Sequence, residues 1–204
     1  MIVFYNLETG KVTKYLSAPV SEAEMNLSEG EGFLESNVIP VENAYVNEGV
    51  VVTSGKPPSR FHVWDWPTKT WIPDLPAAIT SRKNAIDQER DRRINSPLTY
   101  NGKNLDADAR ARENLKSKLE EIKSREALSL PMPTSMLVWR DADNVTHSWP
   151  TQEAYKAWLE GFTVAMSERG TMIYAAAWQH KANIASLTTI EDIMNYNVEE
   201  GWNG

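Results

Sequence analysis

The sequence predicts an α+β protein built in two parts, a small β-rich unit followed by a helix-rich one. Three observations predict it. Up to residue 76, short β-branched and aromatic runs alternate with breaks containing Gly, Pro or Asn. From Ala77 onward, apolar residues recur at helical spacing over longer segments. The 204 residues, 41% hydrophobic and 24% charged, suffice for one full domain or two small ones with modest cores. The predicted division is a β-rich unit at 1–76, a connecting helix at 77–97 and a helix-rich domain with short β-hairpins at 98–204.

The elements follow in order. Ile2–Tyr5 and Lys11–Tyr15 flank a Gly-containing turn and read as a hairpin. Pro19 closes it, and the acidic stretch from Ser21 to Gly32 predicts a short helix or turn and then a loop. Strand-like pieces recur at Phe33–Ile39, Ala44–Val46 and Val50–Thr53, with Asn47-Glu48-Gly49 turning between the last two. Gly55-Lys-Pro-Pro58 stops that series, and Pro73-Asp-Leu-Pro76 forms a second stop after the segment FHVWDWPTKTW. Alternation in that segment puts Phe61, Val63 and Asp65 on one face and His62, Trp64 and Trp66 on the other. Pro67–Lys69 is the turn and Trp71 lies on the return strand, so both faces carry large rings that need cover.

The helix over 77–97 has a thin apolar stripe, Ile79 and Ile86, and reads as a connector, with a short self-associating helix as the alternative. Leu98–Leu105 is a hairpin around Asn101-Gly102, the strongest short hairpin dipeptide. Asp106 or Asp108 caps a helix with Leu115, Leu119 and Ile122 on one face, ended by Leu130-Pro-Met-Pro133. Met136–Trp139 and Val145–Trp149 form another hairpin, and Thr151 starts a long helix whose face runs Trp158, Phe162, Ala165 toward Ile173, Ala176 or Ala177 and His180. Thr188-Thr-Ile-Glu191 reads as a capping box opening a last helix that ends near Gly201-Trp202.

Composition narrows the chemistry. The net charge of -7 and pI near 5.1 disfavour phosphate backbones and anionic lipid, and the basic stretch Arg82 to Arg93 is interleaved with Asp87, Glu89 and Asp91. No nucleic-acid or membrane partner is expected. With no cysteine there are no disulfides, thiolate nucleophiles or Cys-bound zinc. The opening residues lack a signal-peptide pattern and no apolar run reaches the ~18 residues of a membrane span, so a soluble, non-exported chain is expected. His62, His147 and His180 sit in separate elements without a chelating spacing, and no nucleophile elbow, Walker loop or dinucleotide fingerprint occurs. Asp141-x-Asp143 begins like a calcium loop, but Thr146 and Gln152 stand where that loop needs Gly and a bidentate acid, which favours a plain turn. No catalytic, cofactor or metal set is expected, and the chain reads as a non-enzyme. The candidate partner-binding residues are Trp64, Trp66, Trp71 and Phe61, since clustered aromatics suit protein interfaces.

From about residue 90 the chain resembles the C-terminal domain of unknown function found in many small tail proteins of bacteriophages and prophages, the tail-fibre and tail-fibre-assembly proteins. The likeness lies in an order of short motifs: Thr99-Tyr-Asn-Gly102, Asp108 to Asn114, Trp139 to Asn144, Thr188-Thr189 and Gly201-Trp202. Pro57-Pro-Ser-Arg-Phe-His62 and Trp64-Asp65 through Thr68 to Trp71 are similar to segments of phage tail-associated chains. The resemblance implies a non-enzymatic tail protein that binds a tail-fibre or baseplate protein, as an assembly chaperone or a permanent component. It would act in the host bacterial cytoplasm during assembly or stay in the virion tail, with self-association a further expectation. The competing expectation is a glycan-binding or glycan-hydrolysing host-recognition protein using the Trp rings as a sugar platform.

Overall fold

Ile2, Val3 and Phe4 are all fully buried, although a strand alternates its faces. The topology supplies the reason. In the computed structural model, which describes residues 1–202, β1 (Ile2–Asn6) is the central strand of an antiparallel sheet in the order β2-β1-β3. Its neighbours are β2 (Val12–Leu16) and β3 (Glu31–Glu35). On one face Ile2 and Phe4 pack with Leu16, Phe33 and Ala23, the last from a 3₁₀ segment (Val20–Glu22, then Glu24–Asn26). On the other, Val3 packs with Ala44, Val51 and Leu34 beneath the hairpin of β4 (Tyr45–Asn47) and β5 (Val50–Val52). A strand covered on both faces is apolar throughout.

The expected turns form. Glu48 and Gly49 both take positive φ, 49° and 78°, the geometry of the hairpin turns that follow strand twist. Gly10, at φ 71°, is required twice over, because a Cβ there would lie 2.7 Å from the Val46 carbonyl oxygen. β3 is the exception: Phe33–Ile39 was expected as a strand, but the strand spans Glu31–Glu35. Its pairing with β1 runs out where Ile2 meets Glu35. A hairpin of β6 (His62–Asp65) and β7 (Thr70–Pro73), with Trp64 opposite Trp71, completes this part.

The chain divides into two compact units, Met1–Ala78 and the residues from Ile79 onward. The strands stop at Pro73, but α1 (Leu75–Asn95) begins two residues before the expected Ala77 and before the boundary. Asp74 accepts a hydrogen bond from the Ala77 backbone N–H at 3.0 Å, and Pro76 falls in the first turn, where its missing N–H costs nothing. On α1, Glu89 bonds Arg92 and Arg93 at 2.6 Å, and Arg90 bonds Asp91 at 2.7 Å, so each of these arginines has a carboxylate partner on its own helix. The Arg92 hydrogen bond holds the Glu89 carboxyl below its ordinary pKa.

In the second unit a short hairpin, β8 (Leu98–Tyr100) and β9 (Lys103–Leu105), turns on Asn101 and Gly102. Asp108, of the two expected caps, takes the Ala111 N–H at 2.8 Å and starts α2 (Ala109–Ala127). β10 (Val138–Arg140) and β11 (Thr146–Ser148) form the second hairpin. α3 (Gln152–Ala185), capped by Thr151, is 34 residues long, about 50 Å. Its first half packs on α2, where Leu105, Leu115, Ile122, Leu137, Tyr155, Leu159 and Phe162 form the larger core. Each such residue adds roughly 1.5–3 kcal/mol on full burial. Tyr155 is pushed up to about 12 by burial, and its hydroxyl donates to the Val138 carbonyl at 2.8 Å.

The second half of α3 runs along α1. Lys181 bonds Asp87 at 2.6 Å, the Arg90 guanidinium lies 5.3 Å from the Tyr174 ring centre, and Arg169 reaches the end of α1. The expected capping box is shifted by one residue: Thr189 caps α4 (Ile190–Asn195) and its hydroxyl bonds Asp192 at 2.6 Å. That register buries Ile193. α4 also stops well short of Gly201-Trp202, and the segment after it folds back irregularly. There His180 Nδ1 bonds the Tyr196 hydroxyl at 2.8 Å, Trp202 is buried with its ring 4.9 Å from His180, and Arg93 donates to the Glu199 carbonyl at 2.9 Å.

Candidate functional site

The residues singled out from sequence gather in the first unit around the β6–β7 hairpin. The cross-strand pairing of Trp64 with Trp71 puts both rings on one face, 5.4 Å apart between centres. Trp66 follows the end of β6 and turns back to lie edge-on to Trp64 at 6.2 Å, while Tyr45 of β4 approaches Trp64 at 5.9 Å. Trp64 is thus the hub of four rings. The loop is tied by Asp65, whose carboxylate accepts from the Thr68 hydroxyl at 2.5 Å and N–H at 3.0 Å, which lowers its pKa. Lys69, at φ 55°, closes the turn.

Two ammonium groups sit on this cluster. Lys69 Nζ lies 4.8 Å from the Trp66 ring centre and 5.2 Å from Tyr45, and Lys11 Nζ lies 5.1 Å from Trp66. Lys69 is held there by donating to the Thr9 carbonyl at 2.6 Å. Trp71 donates its indole N–H to the Ser54 carbonyl at 3.0 Å. The Trp64 indole N–H is buried with no hydrogen-bond partner among the described residues. Phe61 is buried outside the strand, with the Arg60 guanidinium 4.7 Å from its ring centre. Phe61 precedes β6 but its carbonyl accepts from the Asp74 N–H at 2.7 Å, so the hairpin's second face combines the buried Phe61 with the exposed Val63 and Ile72. Tyr45 and Lys11 escaped the sequence reading, because their approach depends on the Lys11–Tyr45 bridge between β-segments distant in sequence, and Lys69 reads from the sequence as a turn residue alone.

Groups able to do acid–base work are engaged structurally. Asp141 accepts from His147 at 2.7 Å and from the backbone N–H groups of Asp143 and Val145 at 3.0 and 2.8 Å. The His147 contact, foremost, lowers the Asp141 pKa, and the set fixes the β10–β11 loop as a plain turn. His62 bonds the Ser59 hydroxyl at 2.9 Å within its own turn. Among the described residues no group of three His, Cys, Asp or Glu side chains is arranged to hold a metal ion. None of the helices is long and apolar enough to cross a membrane, again among the described residues.

A second feature lies in the second unit. α2 and α3 run antiparallel, Arg112 beside Met166 at one end and Glu126 bonded to Lys156 at 2.8 Å at the other. Between them opens a groove of about 760 Å³ with an apolar floor of Leu115, Leu119 and Met166, walled on α3 by Glu160, Thr163 and Ser167 and on α2 by the charged side chains of Lys116, Glu120 and Lys123. Grooves of this kind accept apolar side chains from a partner helix.

These features define an α+β chain with a half-buried aromatic–cation cluster in one unit and an interhelical groove with an apolar floor in the other. The chain belongs to the family of the domain of unknown function DUF4376, which matches over residues 77–198, more than half of its length. The match begins in the first turn of α1 and takes in α2, α3, α4 and both hairpins of the second unit. No curated protein and no solved structure matches the chain.

Proposed function

We propose that the chain is a phage or prophage tail or tail-fibre-associated protein that works without catalysis, by binding another tail protein. The observation that carries this reading is the ordered set of motifs from Thr99 to Trp202, because each holds a structural job in one folded unit. Thr99–Gly102 makes a hairpin turn, Asp108 caps α2, Asp141 ties the β10–β11 loop, Thr189 caps α4 and Trp202 packs on His180. The apolar groove and the exposed Val63–Ile72 face offer contact surfaces of the kind protein partners cover. A glycan platform draws less support, because stacking needs an open ring face and Trp66 already has Lys11 and Lys69 against it.

The partner is a fibre or baseplate protein, met in the host cytoplasm during assembly. Co-expression with a tail-fibre protein of the same phage or prophage tests this: the two should co-purify, and failure with either protein tagged would overturn the reading. Mass spectrometry of purified virions then separates a permanent component, present in the particle, from a chaperone that leaves.

A further inference from the structure

α3 outruns its neighbours, and its solvent side is unlike that of the helix beside it. On α2 the exposed positions include Arg110, Glu113, Lys116, Glu120, Lys123 and Glu126, as a solvated face requires. Along α3 from Thr163 to Ala185, Glu168 is the one charged residue in the exposed set. The exposed positions instead include Val164 (55% exposed), Tyr174 (44%) and Trp178 (68%) with Ala175 among them, while Met172 (47%) lies on the far flank. Charge depletion with exposed aromatics and Met marks the centre of protein interfaces.

The groove between α2 and α3 lies on the same side of α3. At 100° per residue, Glu160, Ser167, Tyr174 and Trp178 share one stripe with Thr163 at its edge. The groove wall centres near residue 163 and Trp178 stands 15 residues beyond it. A two-fold axis crossing α3 between residues 170 and 171 therefore carries Trp178 of one copy to the Thr163 region of another, about 11 Å from the axis on each side. Near that axis Gly170 has nothing within 4 Å of a built Cβ, and Thr171 and Ala175 are small, so two such helices can approach closely.

We propose that a second copy of this chain covers this face: two α3 helices pack antiparallel, and Trp178 of each enters the α2–α3 groove of the other. One symmetry operation then buries both features, as a self-complementary isologous interface demands. The two rings alone carry roughly 220 Å² of exposed surface per copy, from about 150–250 Å² per aromatic side chain. A stable interface needs about 800 Å² per partner. Val164, Thr171, Ala175 and the groove walls, spread over some five turns of helix on the same side as Trp178, add to it. This proposal stands independently of the tail-protein reading.

The test uses the full-length chain in sedimentation equilibrium over a wide concentration range. A dimer is expected. Trp178→Glu should raise its Kd about 1,000-fold, because two rings leave per dimer and each buried hot-spot ring is worth about 30-fold. Thr163→Arg, which blocks the groove from the other side, should do the same. Both positions are exposed, and unchanged circular dichroism would show the fold intact. Since the chain has no cysteine, Thr171→Cys gives a single thiol near the axis, which a short bis-maleimide should link between copies. Met25→Cys, exposed in the first unit, should not link. A monomer at every concentration, a dimer indifferent to Trp178→Glu, or a dimer that does not cross-link at Thr171→Cys would each overturn the arrangement.

Discussion

Arg169 is 9% exposed in the middle of α3, and its guanidinium meets no carboxylate among the described residues. It donates instead to the Ser96 and Pro97 carbonyls at 2.9 and 3.3 Å, to the Arg93 carbonyl and to the Ser96 hydroxyl. It thus terminates α1, satisfying carbonyls that a helix end leaves free and placing positive charge at the negative end of the helix dipole. Burial, with Arg112 and Arg93 nearby, lowers its pKa. Arg169→Met keeps the stem and removes the donors. Hydrogen bonds to a charged group are worth about 1.5–3 kcal/mol each, so four contacts give roughly 6 kcal/mol or more gross. Releasing a buried cation from desolvation returns several kcal/mol. The expected net loss is about 2–4 kcal/mol, or roughly 10 °C in the Tm of a unit this size. Arg169→Lys should lie between, since one ammonium cannot reach all four acceptors. Urea unfolding followed by circular dichroism at 222 nm, a wavelength weighted to the helices, reads it. An Arg169→Met variant within about 0.5 kcal/mol of the parent would refute the reasoning.

The two glycines of α3 should respond with opposite signs. Gly161→Ala drives a methyl into the Tyr100 hydroxyl, whose ring stacks on Phe162 at 5.7 Å, and should cost about 1–3 kcal/mol; Gly170→Ala meets nothing and should add about 0.5–1 kcal/mol, both read as urea midpoints. His180 is held below its ordinary pKa by burial first and by Arg93, so the unfolded chain binds the proton more readily. Stability present above about pH 6.5 is then lost as pH falls toward the folded value, at no more than about 1.4 kcal/mol per pH unit, and His180→Gln should flatten that slope in urea midpoints taken between pH 8 and 5. Trp64→Ala removes the hub of four rings and should cost the first unit about 3–5 kcal/mol by near-ultraviolet circular dichroism melts. An unchanged melt would mean the rings are not a core.

Local signals in the sequence carried well where the chemistry is local. Asn101-Gly102 and Glu48-Gly49 make their turns because positive φ is a property of the residues themselves, and Asp108 and Thr151 cap because the acceptor lies three residues from its donor. Thr188 and Thr189 are equally good caps in isolation, and only the burial of Ile193 chooses between them. The aromatic cluster was half legible. The three tryptophans announce it, whereas Tyr45 and Lys11 arrive through strand pairing that no short window encodes. The buried Arg169 is invisible for the same reason, since its acceptors lie more than 70 residues away. The uncharged run from Thr171 through Ala177 was in plain view, but beside Ile173 and Ala177 it reads as core until the fold shows which positions remain outside.

α3 is common to both packing layers of the second unit: α2 borders its first half and α1 its second. A helix shared in this way leaves no seam along which one layer can open alone. Its central amides, from Phe162 to Ile173, should exchange with deuterium only through global unfolding of the unit, while the ends of α2 and the α4 segment exchange by local fraying. Slow exchange at the middle of α3, uniform across both layers, would make the unit a single foldon with this helix as its last element to open.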